Sequence, residues 1–228
     1  MIKYSTETIL DIPLKGGFES NIINHIYGVG GSGKTNIALL LMKSIVKNYG
    51  KVIFISTEQI SPKRYGEIMG PLHETHGRDI LVSEPRTPDA LTGSIDNALR
   101  LAKDNDSIKG VIVDGITTIY RFMNTGDNEL RHENISILAK QMLNLREISH
   151  VRDTFVLITS QVYYDPVKKD NLPLGGTLLS KVSKGIYSVE KRCEGVRQFR
   201  RFTVVKHKSL ETGSYIDFII TDSGIDNA

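Results

Sequence analysis

Apolar positions along the chain follow two alternating periods. Short, nearly continuous apolar runs recur at 22–27, 51–56, 109–114 and 154–160. Runs of that kind predict strands buried on both faces of a parallel sheet. Between them the spacing turns helical. Ala38, Leu41, Met42, Ile45 and Val46 share one face of a helix expected from about 33 to 48, with Gly50 as its stop. Ser61-Pro62 and Thr87-Pro88-Asp89 each read as an N-cap followed by proline at the first helical position. Leu91, Ile95, Ala98, Leu99 and Ala102 continue the second of these, and another helix is predicted over 130–150. Polar loops are expected at 122–129 and 163–176. From Thr177 the pattern predicts strands at about 177–190, 198–206 and 214–220, with turns at Gly195 and at Glu211-Thr212-Gly213. Such short connections imply antiparallel pairing. The expected fold is therefore α/β, with a mostly parallel central sheet, helices on both faces and antiparallel C-terminal strands.

Composition narrows this modestly. At 228 residues the chain suits one domain, with 1–20 as a lead-in segment. No apolar run reaches the ~20 residues of a membrane span, and the N-terminus lacks the features of a signal peptide. No membrane role is expected. The single cysteine, Cys193, excludes an internal disulfide and a zinc site and fits a reducing cytoplasm. His25 lies inside an apolar run and reads as a core histidine rather than a ligand. Charge is uneven. Residues 181–208 hold nine Lys or Arg against Glu190 and Glu194, a net +7, which leaves −4 on the rest of a chain whose total is +3. That asymmetry points to a polyanionic partner or to a solvated strand face.

The chemistry is concentrated at strand ends. Gly28-Val29-Gly30-Gly31-Ser32-Gly33-Lys34-Thr35 matches G-x-x-x-x-G-K-[ST], between a predicted strand and a predicted helix. The glycines let backbone N–H groups close around phosphates, and the following helix points its positive end at the same anion. Lys34 reaches the β/γ-phosphates and the Thr35 hydroxyl ligates Mg²⁺. Asp114 ends a strand and suits the metal's water shell, or a helix cap. Glu58 ends another strand, as a carboxylate able to activate water or as a solvated loop acid. Gln161 ends a third, as a reporter of the γ-phosphate to residues 163–176 or as a turn glutamine.

Further motifs carry a resemblance. Leu14-Lys15-Gly16-Gly17-Phe18-Glu19, Ser56-Thr57-Glu58, Pro62-Lys63-Arg64, Tyr120-Arg121, Glu129-Leu130, Ile158-Thr159-Ser160-Gln161-Val162 and Leu174-Gly175-Gly176 together resemble the RecA-like recombinases, specifically the archaeal RadA/RadB group. The resemblance covers nearly the whole chain. It implies a RecA-like P-loop ATPase core with ATP and Mg²⁺ as cofactors. It places Glu58 at the catalytic position, Arg64 against adenine, and DNA-binding loops at 122–129 and 163–176. Arg121, Arg131, Lys168 and Lys169 would meet DNA phosphates there, and Tyr163 and Tyr164 could stack on bases. Lys206 and Lys208, in Lys206-His207-Lys208, resemble the finger that related ATPases of the KaiC type extend to a neighbouring subunit's ATP; a basic edge strand is the other reading.

Two departures from the group's pattern, Gln59 after Glu58 and one residue fewer before Pro62-Lys63-Arg64, imply weak hydrolysis. The group's N-terminal helix–hairpin–helix domain and polymerisation motif have no counterpart before the core. The implied role is an ATP- and DNA-binding accessory of recombination and repair, without autonomous strand exchange, assisting the RadA recombinase. Its expected partners are single-stranded or branched DNA, RadA, further copies of itself and a Holliday junction resolvase, in a nucleoid-associated location. The competing functions are a DNA-stimulated ATPase motor and a KaiC-type signalling ATPase that does not bind DNA.

Overall fold

A computed structural model describes residues 1–122, 128–165 and 170–228, with side chains throughout except at 121, 122, 128, 164, 165, 170 and 171. In chain order the elements are β1 (Lys3–Tyr4), β2 (Phe18–Glu19), β3 (Ile23–Gly28), α1 (Lys34–Asn48), β4 (Lys51–Ser56), α2 (Pro62–Met69), α3 (Leu72–His76), β5 (Ile80–Ser83), α4 (Pro88–Asp104) and β6 (Ile108–Asp114). There follow α5 (Thr118–Phe122), α6 (Asn128–His150), β7 (Phe155–Ser160), β8 (Val162–Asp165), β9 (Asp170–Pro173), α7 (Gly176–Val182), β10 (Gly185–Glu194), β11 (Arg197–Lys206), β12 (Tyr215–Thr221) and β13 (Gly224–Asn227).

One large sheet runs in the order β13-β12-β11-β10-β3-β7-β6-β4-β5. From β10 to β5 all neighbours are parallel; β10 to β13 pair antiparallel. The alternation along each central strand divides the core. Val52, Phe54, Ile112, Phe155 and Leu157 face α1, α2 and the N-terminal segment. Ile53, Ile55, Val111, Val113, Val156 and Ile158 face α4, α6 and α7. On the α1 side, Phe18 meets Tyr187 and Phe202 edge-on at 5.0 and 6.1 Å, which seats the lead-in segment on the antiparallel strands. The caps expected at α2 and α4 are present: Ser61 accepts from the Arg64 N–H and Thr87 from the Ala90 N–H.

Two expectations need correction. Residues 177–190 do not form one strand, because α7 occupies Gly176–Val182 and β10 begins only at Gly185. Gly175 and Gly176 both have left-handed backbone, φ 86° and 46°, which redirects the chain. Leu179 is then fully buried, with Leu178 and Val182 packed against the same core, at helical spacing. The segment 163–176 is also not a simple loop: β8 and β9 form an antiparallel hairpin at its start. The small edge strand β5 carried no clear signal, since Leu81 and Val82 are both exposed.

Candidate functional site

The parallel strands deliver the marked residues to one edge of the sheet. β3 runs into the loop 28–33, and α1 begins at Lys34 after Gly33, whose φ of 110° only glycine adopts readily. At Gly28 a Cβ would lie 2.2 Å from the Val189 carbonyl oxygen, so β10 fixes the loop's start. Gly30, by contrast, has open space where its side chain would be. The Lys34 ammonium, nearly buried, donates to the Gly28 and Val29 carbonyls at 2.9 and 3.0 Å. Burial pulls its pKa down, opposed by the charges of Glu58 and Asp114.

Asp114 is the second anchor. Its Oδ2 accepts from Thr35 Oγ1 at 2.8 Å and its Oδ1 from Thr159 Oγ1 at 2.6 Å, while Thr159 itself accepts from the Gly115 N–H. Asp114 is 2 % exposed, and burial pushes its carboxyl above the usual range despite both hydroxyls. Glu58, one strand over, accepts through Oε1 from Thr118 Oγ1 at 3.0 Å and from Gln161 Nε2 at 2.9 Å. The Gln161 carbonyl accepts from the Leu174 N–H, so this residue joins Glu58 to the base of the β8–β9 hairpin. Thr118 and Thr159, which position the two carboxylates, escaped the sequence reading; a threonine in an apolar strand or after a turn carries no distinguishing pattern.

The donor set suits a magnesium triphosphate. Among the described residues no three His, Cys, Asp or Glu side chains converge as a metal cage. Mg²⁺ commonly takes one carboxylate, a hydroxyl, water and phosphate oxygens instead, and the Thr35–Asp114 pair could supply the protein's share. The Ser32 hydroxyl, fully buried in the loop, has no hydrogen-bond partner among the described residues, which fits a group able to donate to an anion.

Other marked residues make contacts of their own. Arg64 bridges α2 to the β12–β13 turn: it donates to the Thr221, Asp222 and Gly224 carbonyls at 2.7, 3.1 and 3.2 Å, to Glu67, and to Asn36 of α1. Lys206 caps the end of α7 within the same chain, donating to the Ser180 and Ser183 carbonyls at 2.6 and 3.0 Å. Lys208 lies 4.0 Å from buried Glu19. Both lysines belong to the end of β11 and the turn after it, and β11 is interior to the sheet, so the edge-strand reading does not hold. His25 is buried with Nε2 2.8 Å from Ser160 Oγ, and burial drops its pKa to about 3, a neutral core histidine as expected. Tyr163 and Arg131 are exposed on β8 and α6. The side chains of Arg121 and Tyr164, together with Lys168, Lys169 and most of the expected loop 122–129, lie outside the described residues.

The geometry of Asp114 makes a testable trade-off. Asp114→Asn keeps the shape and removes a buried charge that two hydroxyls only partly compensate. A gain of about 1 kcal/mol is expected without nucleotide, roughly 2–4 °C for a domain this size. The further shift produced by Mg–ATP should vanish. Thermal melts with and without Mg–ATP check both; a lower melting point without nucleotide would show that the carboxylate stabilises the fold.

Comparison with known proteins gives a consistent set. The family model described as Rad51 matches residues 1–228. The DNA repair and recombination protein RadB of Methanococcoides burtonii is 36 % identical over 222 residues, 95 % of this chain and 93 % of that protein. Its counterpart from Thermoplasma volcanium is 32 % identical over 210 residues, 92 % of this chain and 86 % of that protein. A solved structure described as that of the RadB recombinase superimposes with a TM-score of 0.79 at 25 % identity, covering 99 % of both chains.

Proposed function

The chain belongs to the Rad51 family and, within it, to the RadB group of DNA repair and recombination proteins, and from that premise we propose that it is a slow Mg²⁺-dependent ATPase that binds DNA and assists the RadA recombinase without exchanging strands itself. The observation that carries the ATP site is the convergence of Lys34, Thr35, Asp114, Glu58 and Gln161 at one sheet edge, from four separated stretches of chain joined by hydrogen bonds. When bound, Mg²⁺ would offset the charge of the phosphates. Thr35 and Asp114 would hold it, Lys34 would neutralise phosphate oxygens, and Glu58 would take the proton of an attacking water.

Slow turnover follows from the surroundings of Glu58. Gln59 succeeds it where the group has glycine, and its Oε1 is already shared by two donors. Those two bonds occupy the oxygen that would otherwise accept from an attacking water. In this reading the Gln161 link to the β8–β9 hairpin would connect the nucleotide to the segment that binds DNA.

ATP turnover measured with and without single-stranded DNA and RadA, alongside size-exclusion mass, tests this reading. Slow hydrolysis, little acceleration by DNA, salt-sensitive DNA binding and a RadA-dependent change in behaviour are expected. Strong acceleration by DNA alone would replace the accessory role with a motor. Absence of DNA binding at low ionic strength would replace it with a signalling role.

A further inference from the structure

A row of residues at the end of β10 lies outside the machinery described above. Val189 stands opposite Gly28, in contact with the start of the phosphate loop. Two residues on, Lys191 stands opposite Arg200 of β11, and Arg200 opposite Phe218 of β12. Opposed residues share a face of a sheet, as do residues two apart on one strand. Val189, Phe202 and Phe218 are buried in the core beneath α1, so Lys191 and Arg200 stand on that face too. Both ends of the row meet the loop. Lys191 Nζ lies 3.2 Å from where a Cβ on Gly31 would fall, and the Phe218 ring lies 3.8 Å from the same point on Gly33.

The two cations differ from their neighbours in pairing. Arg192 is matched by Glu190, and Arg201 by Asp217. Lys191 and Arg200 have no acidic partner among the described residues, and the Arg200 Nε is buried without a hydrogen bond. Leaving such a donor unmade away from water destabilises the fold. Lys191 also joins burial in lowering the pKa of Lys34, so the two ammonium groups act on each other. A lysine that repels Lys34 and an arginine with a buried unbonded donor, beside a loop with an orphaned Ser32 hydroxyl, form an arrangement that a polyanion would relieve.

We propose that Lys191 and Arg200 form a second cationic wall of the nucleotide site, supplied in cis by the β10–β11 hairpin, and that they contact the phosphate chain of a nucleoside triphosphate. This rests on the ATP-site reading and adds two residues that the loop motif does not contain. The wall favours the ligand with most phosphate charge, so discrimination runs triphosphate over diphosphate over monophosphate.

Calorimetric affinities for Mg–ATP, Mg–ADP and AMP test it in the parent protein, Lys191→Met, Arg200→Gln, the double variant and Arg197→Ala, an exposed cation at the hairpin turn. Two lost charge-assisted contacts should weaken Mg–ATP by about tenfold or more in the double variant, Mg–ADP by less, and AMP hardly at all. Arg197→Ala should stay within about twofold for all three, and Arg200→Lys should recover part of the loss. Thermal melts report folding; if Arg200→Gln unfolds, Lys191→Met alone should still weaken Mg–ATP by about threefold or more. A folded double variant, or Lys191→Met where only that folds, with parental nucleotide affinities overturns the proposal, whether or not DNA affinity falls. A parent protein that binds no ATP overturns the site reading itself, whereas a parent and double variant that bind ATP equally overturn only the wall.

Discussion

Replacing Lys34 by alanine is expected to weaken Mg–ATP binding by on the order of a hundredfold or more while leaving the nucleotide-free fold almost unchanged. The two effects separate because of where the ammonium sits. It is 7 % exposed and donates to two loop carbonyls, Gly28 and Val29. Without nucleotide, removing it loses two hydrogen bonds but also removes a buried cation, so the stability change should stay near 1 kcal/mol. With nucleotide, the missing group would have made charge-assisted bonds worth about 1.5–3 kcal/mol each, and two of them amount to at least a hundredfold in affinity. Lys34→Arg should also fail, because a planar guanidinium cannot take the place of a compact ammonium between two carbonyls. Ligand at a hundred times its dissociation constant stabilises a protein by about 2.7 kcal/mol. The parent protein should show that gain as a thermal shift and both variants should not. An equal ATP-induced shift in Lys34→Ala and parent would remove the phosphate loop from the mechanism.

Legibility in the sequence followed the range of the interactions. Lys34, Thr35, Asp114, Glu58 and Gln161 were readable because each sits at the end of a buried strand or inside a motif whose spacing is local. The parallel sheet then brings strand ends together whatever their order in the chain. Residues that act through pairing between distant strands were not readable. Lys191 comes to the loop because β10 lies beside β3, some 160 positions earlier, a register that no local pattern encodes, so it counted only as part of a basic segment. Arg200 was hidden in the same way. The helix α7 was missed because Thr177-Leu178-Leu179 is short and apolar, and length is what normally separates a buried strand from a helix. Its start is set by two left-handed glycines and its end by Lys206, which reaches back from β11. That contact lies within one chain and is separate from the finger toward a neighbouring subunit that the resemblance implies.

Glu58→Gln should cut ATP hydrolysis by about 10²–10⁴-fold with Mg–ATP affinity within about threefold of parent. The substitution is nearly isosteric, and the amide oxygen can still accept from Thr118 or Gln161, so the local structure should hold. What is lost is the negative charge and, with it, the ability to take a proton. Gln161→Ala separates base from sensor at the same atom. It frees Glu58 Oε1 from one of its two donors and leaves that oxygen open to water, so basal hydrolysis should hold or rise modestly. Any effect of ATP on DNA binding should weaken at the same time, because the Leu174–Gln161 tether no longer ends in a side chain that reads the site. Phosphate release followed over many turnovers, with DNA binding measured with and without ATP, gives both readouts. Parental hydrolysis in Glu58→Gln would reduce Glu58 to a positioning partner of Thr118 and Gln161 and require another base. Loss of hydrolysis in Gln161→Ala to the same depth as in Glu58→Gln would instead make the pair one catalytic unit, with the amide holding the carboxylate in line for water.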